Sequence, residues 1–221
     1  MTFDEDRLGV VATYYGLPES IVADIAAIPK DDRRAACEEH GICRSILRTM
    51  VDYDRYPQAR DVHALLLKAG ERVEAMTMLD YGCLVADYAL YFARLGASAA
   101  VYDDADGVKF AAFRFAREVL PVEALTIPTS GDLLMSGRDL VVFGEVLEHL
   151  EDPTIPIREC IDAGVRYVFT SCYPFGDDEY FALSGHLKSA QDLQATSIRI
   201  LSNHFDAMPS SDKSVLWKRR S

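Results

Sequence analysis

The sequence contains no apolar run approaching the roughly 20 residues that a membrane-spanning helix needs, so no membrane partner is expected. Its first residues, MTFDEDRLG, are acidic and lack the apolar core of a secretory signal, so none is expected there. The five cysteines are odd in number and form no framework of the small secreted kind, which points to a reduced, cytoplasmic setting. Positive charge is scarce: 23 Lys and Arg stand against 35 Asp and Glu, a net charge of −12. Such a surface repels phosphate backbones and argues against nucleic acid as the main partner. Internal repeats and low-complexity segments are absent. What remains is a chain of 221 residues, 49% hydrophobic, enough for one domain or one domain with a helical extension.

Residues 4 to 73 show no strand alternation and read as helices broken near Gly16-Leu17-Pro18, Ile28-Pro29 and Tyr56-Pro57. Asp61 to Gly70 reads as one such helix, with an acid near its start and Gly at its end. From residue 76 short apolar runs alternate with helical stretches. Strands are expected at 77–81, 98–103, 123–127, 138–143 and 165–172, and helices at 86–95, 106–119, 146–162 and 187–194. This alternation predicts an α/β fold with a doubly wound, mostly parallel sheet and helices on both faces. Ser197–Leu201 and Ser214–Trp217 are two further strand candidates in the tail. The expected division is a helical cap over residues 1–74 and a sheet domain over 75–221.

Two segments carry chemistry. The first is Met78-Leu79-Asp80-Tyr81-Gly82-Cys83, a strand that runs into a turn and then a helix. The second is Asp139-Leu140-Val141-Val142-Phe143-Gly144-Glu145-Val146-Leu147-Glu148-His149-Leu150, followed by Glu151-Asp152-Pro153. In open α/β sheets ligands bind outside the carboxyl ends of such strands. Together the segments resemble the first and fourth motifs of class I S-adenosylmethionine (SAM)-dependent methyltransferases. The resemblance covers about residues 75 to 219 and implies a Rossmann-like sheet with a pair of late strands. It implies that Asp80, Tyr81, Gly82 and Cys83 lie at the cofactor, with Glu145 at the fourth strand's mouth. It aligns Asp103 with the acid that accepts from both ribose hydroxyls, with Asp104 as the off-by-one alternative, and puts Asp132 near the adenine. Asp80 and Asp103 have the rough 20-residue separation of nucleotide-binding sheets. A tight turn at Gly82, a helix cap at Asp103 or Asp104 and a turn at Ser130-Gly131-Asp132 are the plain structural readings.

The pattern departs from the family at Leu84 and Ala86, where it has glycines. A side chain there either narrows the cofactor cleft or packs into the core. The dinucleotide fingerprint Gly-x-Gly-x-x-Gly is also missing after the first strand, which disfavours a dinucleotide dehydrogenase.

Glu145, Glu148 and His149 have i, i+3, i+4 spacing, which would put them on one helix face, with carboxylates favoured at the helix N-terminus. A smaller set of methyltransferases binds a divalent ion through Glu-x-x-Glu-His and a later His. Here His186, in Gly185-His186-Leu187-Lys188, supplies that later residue. Glu145, Glu148, His149 and His186 would make a mixed oxygen and nitrogen site. Without a metal, His149 or His186 is a candidate general base, or simply a hydrogen-bonded structural histidine.

Three other groups are weighed. Cys37, His40 and Cys43 show only three ligands and are not expected to hold a metal. Tyr14, Tyr15, Tyr53 and Tyr56, with Arg55, form either core or a wall over the ligand. Lys218-Arg219-Arg220 is a solvated tail. The resulting expectation is a SAM-dependent methyltransferase that O-methylates a small polar molecule or sugar. The alternatives are a catalytically inactive methyltransferase-like binding protein, motivated by Leu84 and Ala86, and a metal-dependent 2′-O-methyltransferase-like enzyme, which the net charge of −12 disfavours for an RNA acceptor.

Overall fold

The computed structural model describes residues 6–53, 55–127, 131–183, 185–210 and 214–220; the side chains of residues 131, 132 and 209 lie outside the description. Helices α1 (Arg7–Tyr15), α2 (Glu19–Ala27), α3 (Arg34–Glu39), α4 (Arg44–Asp52) and α5 (Tyr56–Lys68) come first. Helix α5 starts five residues before Asp61, because Pro57 sits in its first turn, where a missing N–H costs nothing. Then follow β1 (Thr77–Tyr81), α6 (Asp87–Arg94), β2 (Ser98–Asp103), α7 (Ala105–Arg117), β3 (Glu123–Thr126), α8 (Gly131–Met135) and β4 (Leu140–Gly144). The chain continues through α9 (Thr154–Asp162), β5 (Tyr167–Ser171), α10 (Asp178–Phe181), α11 (Lys188–Asp192), α12 (Gln194–His204), β6 (Phe205–Pro209) and β7 (Val215–Arg219).

The strands form one sheet in the order β3-β2-β1-β4-β5-β7-β6. The first five run parallel, whereas β7 pairs antiparallel with β5 and with β6. Alternate side chains go to opposite faces, as the pleat requires. Met78, Val101, Leu140, Val142 and Phe169 meet α5, α6 and α7 on one face. Leu79, Ala100, Val141, Phe143 and Val168 meet α8, α9, α11 and α12 on the other. A third cluster joins α1, α2, α3 and α4 to Val85 and Phe110, so the early helices lean on the loop after β1 and on α7. No helix of the described residues is long and apolar enough to cross a membrane.

Two expectations fail. Residues 197–201 are helical, inside α12, and the sixth strand begins at Phe205. Ser197 and Leu201 are both buried, an i, i+4 pair on one helix face, although Ile198 and Ile200 mimic strand alternation. The expected helix 146–162 is two pieces: a 3-10 turn at Leu147–His149 and α9 from Thr154. Asp152 divides them by accepting from the Thr154 amide at 2.8 Å and its hydroxyl at 2.6 Å.

Candidate functional site

Strand order reverses between β1 and β4, and the loops after these strands lie at the sheet's carboxyl edge. Four non-glycine residues hold a left-handed backbone there: Leu84 (φ 43°) and Ala86 (φ 58°) after β1, Glu145 (φ 58°) after β4 and Cys172 (φ 64°) after β5. Such conformations cost of order 1–3 kcal/mol each and cluster at ligand sites. The loop after β1 thus keeps a backbone shape suited to glycine while carrying side chains. Gly82 has no such freedom, because a Cβ on it would lie 2.3 Å from the Val146 side chain. Its φ of +69° adds a second requirement.

Asp80 is 2% exposed and accepts from the Ala89 amide at 3.1 Å, in the first turn of α6. Burial pushes its carboxyl up to about 8, with the nearby charges of Asp87 and Asp103 adding to the rise. Asp103 ends β2 and reaches back across the loop: one oxygen accepts from the Leu84 amide at 2.6 Å, the other from the Asp104 amide at 2.7 Å. Burial holds its carboxyl above the usual range. Asp104 is the N-cap of α7, accepting from the amides of Asp106 and Gly107, which is the capping role weighed for it from sequence. Tyr81 turns its ring to the far face, against Tyr102 and Phe143. Cys83 is buried in the core beneath the loop. Leu84 is half-buried against the early helices. Ser130 is outside the described residues, and so is the side chain of Asp132.

The early helices clamp this loop. Asp87, 1% exposed, is held by Arg114 at 2.8 Å and by Arg7 at 3.0 Å. Arg114 also donates to the Val85 carbonyl and to the Tyr56 hydroxyl. None of these pairings was visible in the sequence, because the partners lie 80 and 27 residues apart.

Glu145, Glu148 and His149 do not share a helix face. Glu145 precedes the 3-10 turn in a left-handed conformation, so its side chain leaves in its own direction. It forms a two-point ion pair with Arg55, which stands just before α5. Burial alone would raise the Glu145 carboxyl; the hydrogen bonds and charge of Arg55 outweigh it and hold the carboxyl below its usual range. The Cys172 thiol lies 3.8 Å from the same carboxylate.

Glu148, His149 and His186 do converge: each offers a ligand atom, and these atoms lie within 4.8 Å of one another. Glu145 is not one of that group. Glu148 is fully buried, one oxygen accepting from the Tyr180 hydroxyl and the other, Oε2, without a partner. Burial raises its carboxyl. His149 Nδ1 lies 2.7 Å from the Gly185 carbonyl and His186 Nδ1 lies 2.8 Å from the Tyr180 carbonyl. A carbonyl only accepts, so both Nδ1 atoms carry a proton, and a ring that is neutral then keeps its lone pair on Nε2. Burial is the main reason that the His186 imidazole stays low in pKa, and hence neutral. Tyr180 was missed from sequence; its place between the end of β5 and His186 was the available signal.

Among the described residues, the one grouping of His, Cys, Asp and Glu side chains close enough to hold a metal is this trio, so Cys37, His40 and Cys43 do not form another. Of the tyrosines weighed as a wall, Tyr14 packs edge-on against Phe110 in the third cluster and Tyr56 packs in the first. Tyr53 stands beside Arg55, whose Cζ is 5.4 Å from the ring centroid.

No protein-family model and no curated protein sequence matches the chain. Solved structures do match. The O-methyltransferase TomG from Streptomyces achromogenes, in complex with SAM, matches with a TM-score of 0.56 at 13% identity over 100% of both chains. Magnesium protoporphyrin IX methyltransferase (ChlM) from Synechocystis PCC 6803, with bound SAM, matches with a TM-score of 0.54 at 14% identity, again over 100% of both. A SAM-dependent methyltransferase from Aquifex aeolicus gives 0.51 at 16% identity, over 76% of this chain and 94% of that one. At these identities the likeness carries the fold. The chain has the α/β architecture of class I methyltransferases, with sheet order 3-2-1-4-5-7-6 and helices before the sheet.

Proposed function

We propose that this chain is a SAM-dependent methyltransferase that methylates an oxygen of a small polar molecule or sugar, with residues 1–74 serving as its cap. The observation that carries this reading is the meeting of the β1 loop and Asp103 at the sheet's carboxyl edge, one strand from the point where strand order reverses. The Leu84 amide lies 2.6 Å from the Asp103 carboxylate, so the loop and the acid that the reading assigns to the cofactor share one edge. Each carboxylate oxygen has two lone pairs, which leaves Asp103 capacity for ribose hydroxyls after its two amide bonds.

Bound SAM would supply a methyl group on a positively charged sulfur. The chain's own task is then to align an acceptor oxygen with that methyl and to exclude water. The clamp of Arg7, Asp87 and Arg114 would hold the loop still for this. The imidazole of His186, held neutral by burial, or the ring of His149, would take the proton from an acceptor hydroxyl.

Calorimetry with SAM tests the proposal. Asp103→Asn should weaken binding at least about tenfold, since hydrogen bonds to a charged acceptor contribute roughly 1.5–3 kcal/mol each. No SAM binding by the unaltered protein would instead favour a catalytically inactive binding protein on the same fold.

A second reading adds a divalent metal. The unpartnered Oε2 of Glu148, in a trio whose ligand atoms lie within 4.8 Å of one another, supports it, and the carbonyl contacts at both Nδ1 atoms are of the kind that orient histidine ligands. Glu145 would not join while it is paired with Arg55. Here Mn²⁺ should raise the melting temperature of the protein but not of His186→Ala; an equal response from both removes this reading.

A further inference from the structure

Arg48 and Arg55 stand on the histidine side of the carboxyl edge, where the charge of Arg48 reaches His186, and among the described residues only Arg55 meets an acid. Arg55 is answered by Glu145. Arg48, on α4, has no carboxylate partner among the described residues. Its Nη2 donates to the Tyr53 hydroxyl at 2.9 Å, and its Nε is buried without a partner. Its Cζ lies 5.5 Å from the centroid of the Tyr53 ring, and the Cζ of Arg55 lies 5.4 Å from the same centroid. Tyr53 therefore links Arg48 to Arg55, and Arg55 links both to the mouth of β4.

A half-buried guanidinium with no carboxylate among the described residues is unexpected in this chain. Acids outnumber bases by 35 to 23, so a carboxylate is the commonest thing an arginine could meet. Buried charged N–H groups normally have an acceptor. A guanidinium fork matches the two oxygens of a carboxylate or phosphate. Neighbouring acids do not stand in the way: Glu145 is neutralised by Arg55, and Glu148 is buried behind the Tyr180 hydroxyl.

We propose that the acceptor carries an anionic group, a carboxylate or a phosphate, and that Arg48, set against Tyr53, is the residue that binds it. This deepens the methyltransferase reading and rests on it for the word acceptor. The alternative is that Arg48 does no more than cover the Tyr53 ring.

The test uses the full chain with inorganic phosphate and acetate as separate probes, and SAM as a third titrant, all followed by calorimetry. At least one anion should bind the unaltered protein and bind Arg48→Gln about tenfold more weakly, the size expected for one charge-assisted contact. SAM affinity should not change. The tighter anion tells a phosphate seat from a carboxylate seat. Equal anion binding by both proteins, or none by either, overturns the proposal while SAM binding keeps the methyltransferase reading. Anion binding that depends on Arg48, without SAM binding, supports the anion seat and removes that reading. If Arg48→Gln does not fold, Arg48→Lys decides: it keeps the charge and loses the fork, so binding weaker by about threefold or more supports the proposal and unchanged binding overturns it.

Discussion

Replacing Asp80 by Asn should make the protein progressively more stable than the unaltered one as pH rises above about 4, and leave it unchanged below that. Asp80 is 2% exposed, and its carboxyl is pushed from 3.8 up to about 8 by burial, then by Asp87 and Asp103. A raised acid binds its proton in the folded state and releases it in the unfolded one. Its contribution is therefore complete below about pH 4 and is lost as pH rises through about 8. At about 1.4 kcal/mol for each pH unit, the full window corresponds to about 6 kcal/mol. That is a large part of the 5–15 kcal/mol that holds a typical domain together. Asn is neutral at every pH, and its side-chain oxygen can still accept from the Ala89 amide. Urea unfolding at pH 4.5, 6, 7.5 and 9 (roughly spanning the window) should show the two curves together at the acid end. They should separate by about 3–6 kcal/mol at the alkaline end, with Asp80→Asn the more stable. If the unaltered protein is the more stable at the alkaline end, Asp80 is ionised in the fold and the argument from burial is wrong.

Three further outcomes follow from the geometry. In a double-mutant cycle, Arg55→Met and Glu145→Gln should show a coupling of about 1–3 kcal/mol, less than a fully buried pair because the side chains are 14% and 29% exposed; additive effects would mean that the pair is broken in solution. Leu84→Gly should cost only about 1 kcal/mol in urea unfolding, against 2–5 for a fully buried leucine, because relief of the left-handed backbone offsets the lost packing. Tyr180→Phe removes the one hydrogen bond that the Glu148 side chain accepts among the described residues and should lower stability by about 1–3 kcal/mol; an unchanged midpoint would show that the carboxyl finds another donor.

The sheet was largely legible before any coordinates. Each of the five parallel strands begins and ends within about two residues of its expected bounds, although β3, Glu123-Ala124-Leu125-Thr126, is mostly exposed. A parallel strand buried on both faces announces itself by continuous hydrophobicity, as Leu140-Val141-Val142-Phe143 does. The tail was harder. Ser197-Ile198-Arg199-Ile200-Leu201 alternates like a strand, and only its packing on α9 and β6 makes it a helix. At the site, the strings Asp80-Tyr81-Gly82-Cys83 and Glu145 to His149 marked the right edge of the sheet. Spacing could not show that Glu145 leaves the 3-10 turn in a left-handed conformation, which sends it to Arg55 rather than to Glu148 and His149. Nor could it show that Asp103 reaches the Leu84 amide. These outcomes depend on side chains brought together from 19 to 90 residues away, and no local rule reads them.

The clamp on Asp87 also sets an order of events during synthesis. Arg7 emerges early, but its partner follows 80 residues later. Arg114 and Phe110, which complete the clamp and the cluster above it, come later still. At 5–20 residues per second, the first helices wait about 4–16 s for the acid that anchors them. Through that interval Val11, Ile46 and Leu47, which end fully buried, have the early helices to cover them but not Val85 or Phe110. The early helices thus gain their anchor only once Arg114 has been made, while the sheet still waits for β7 to join β5.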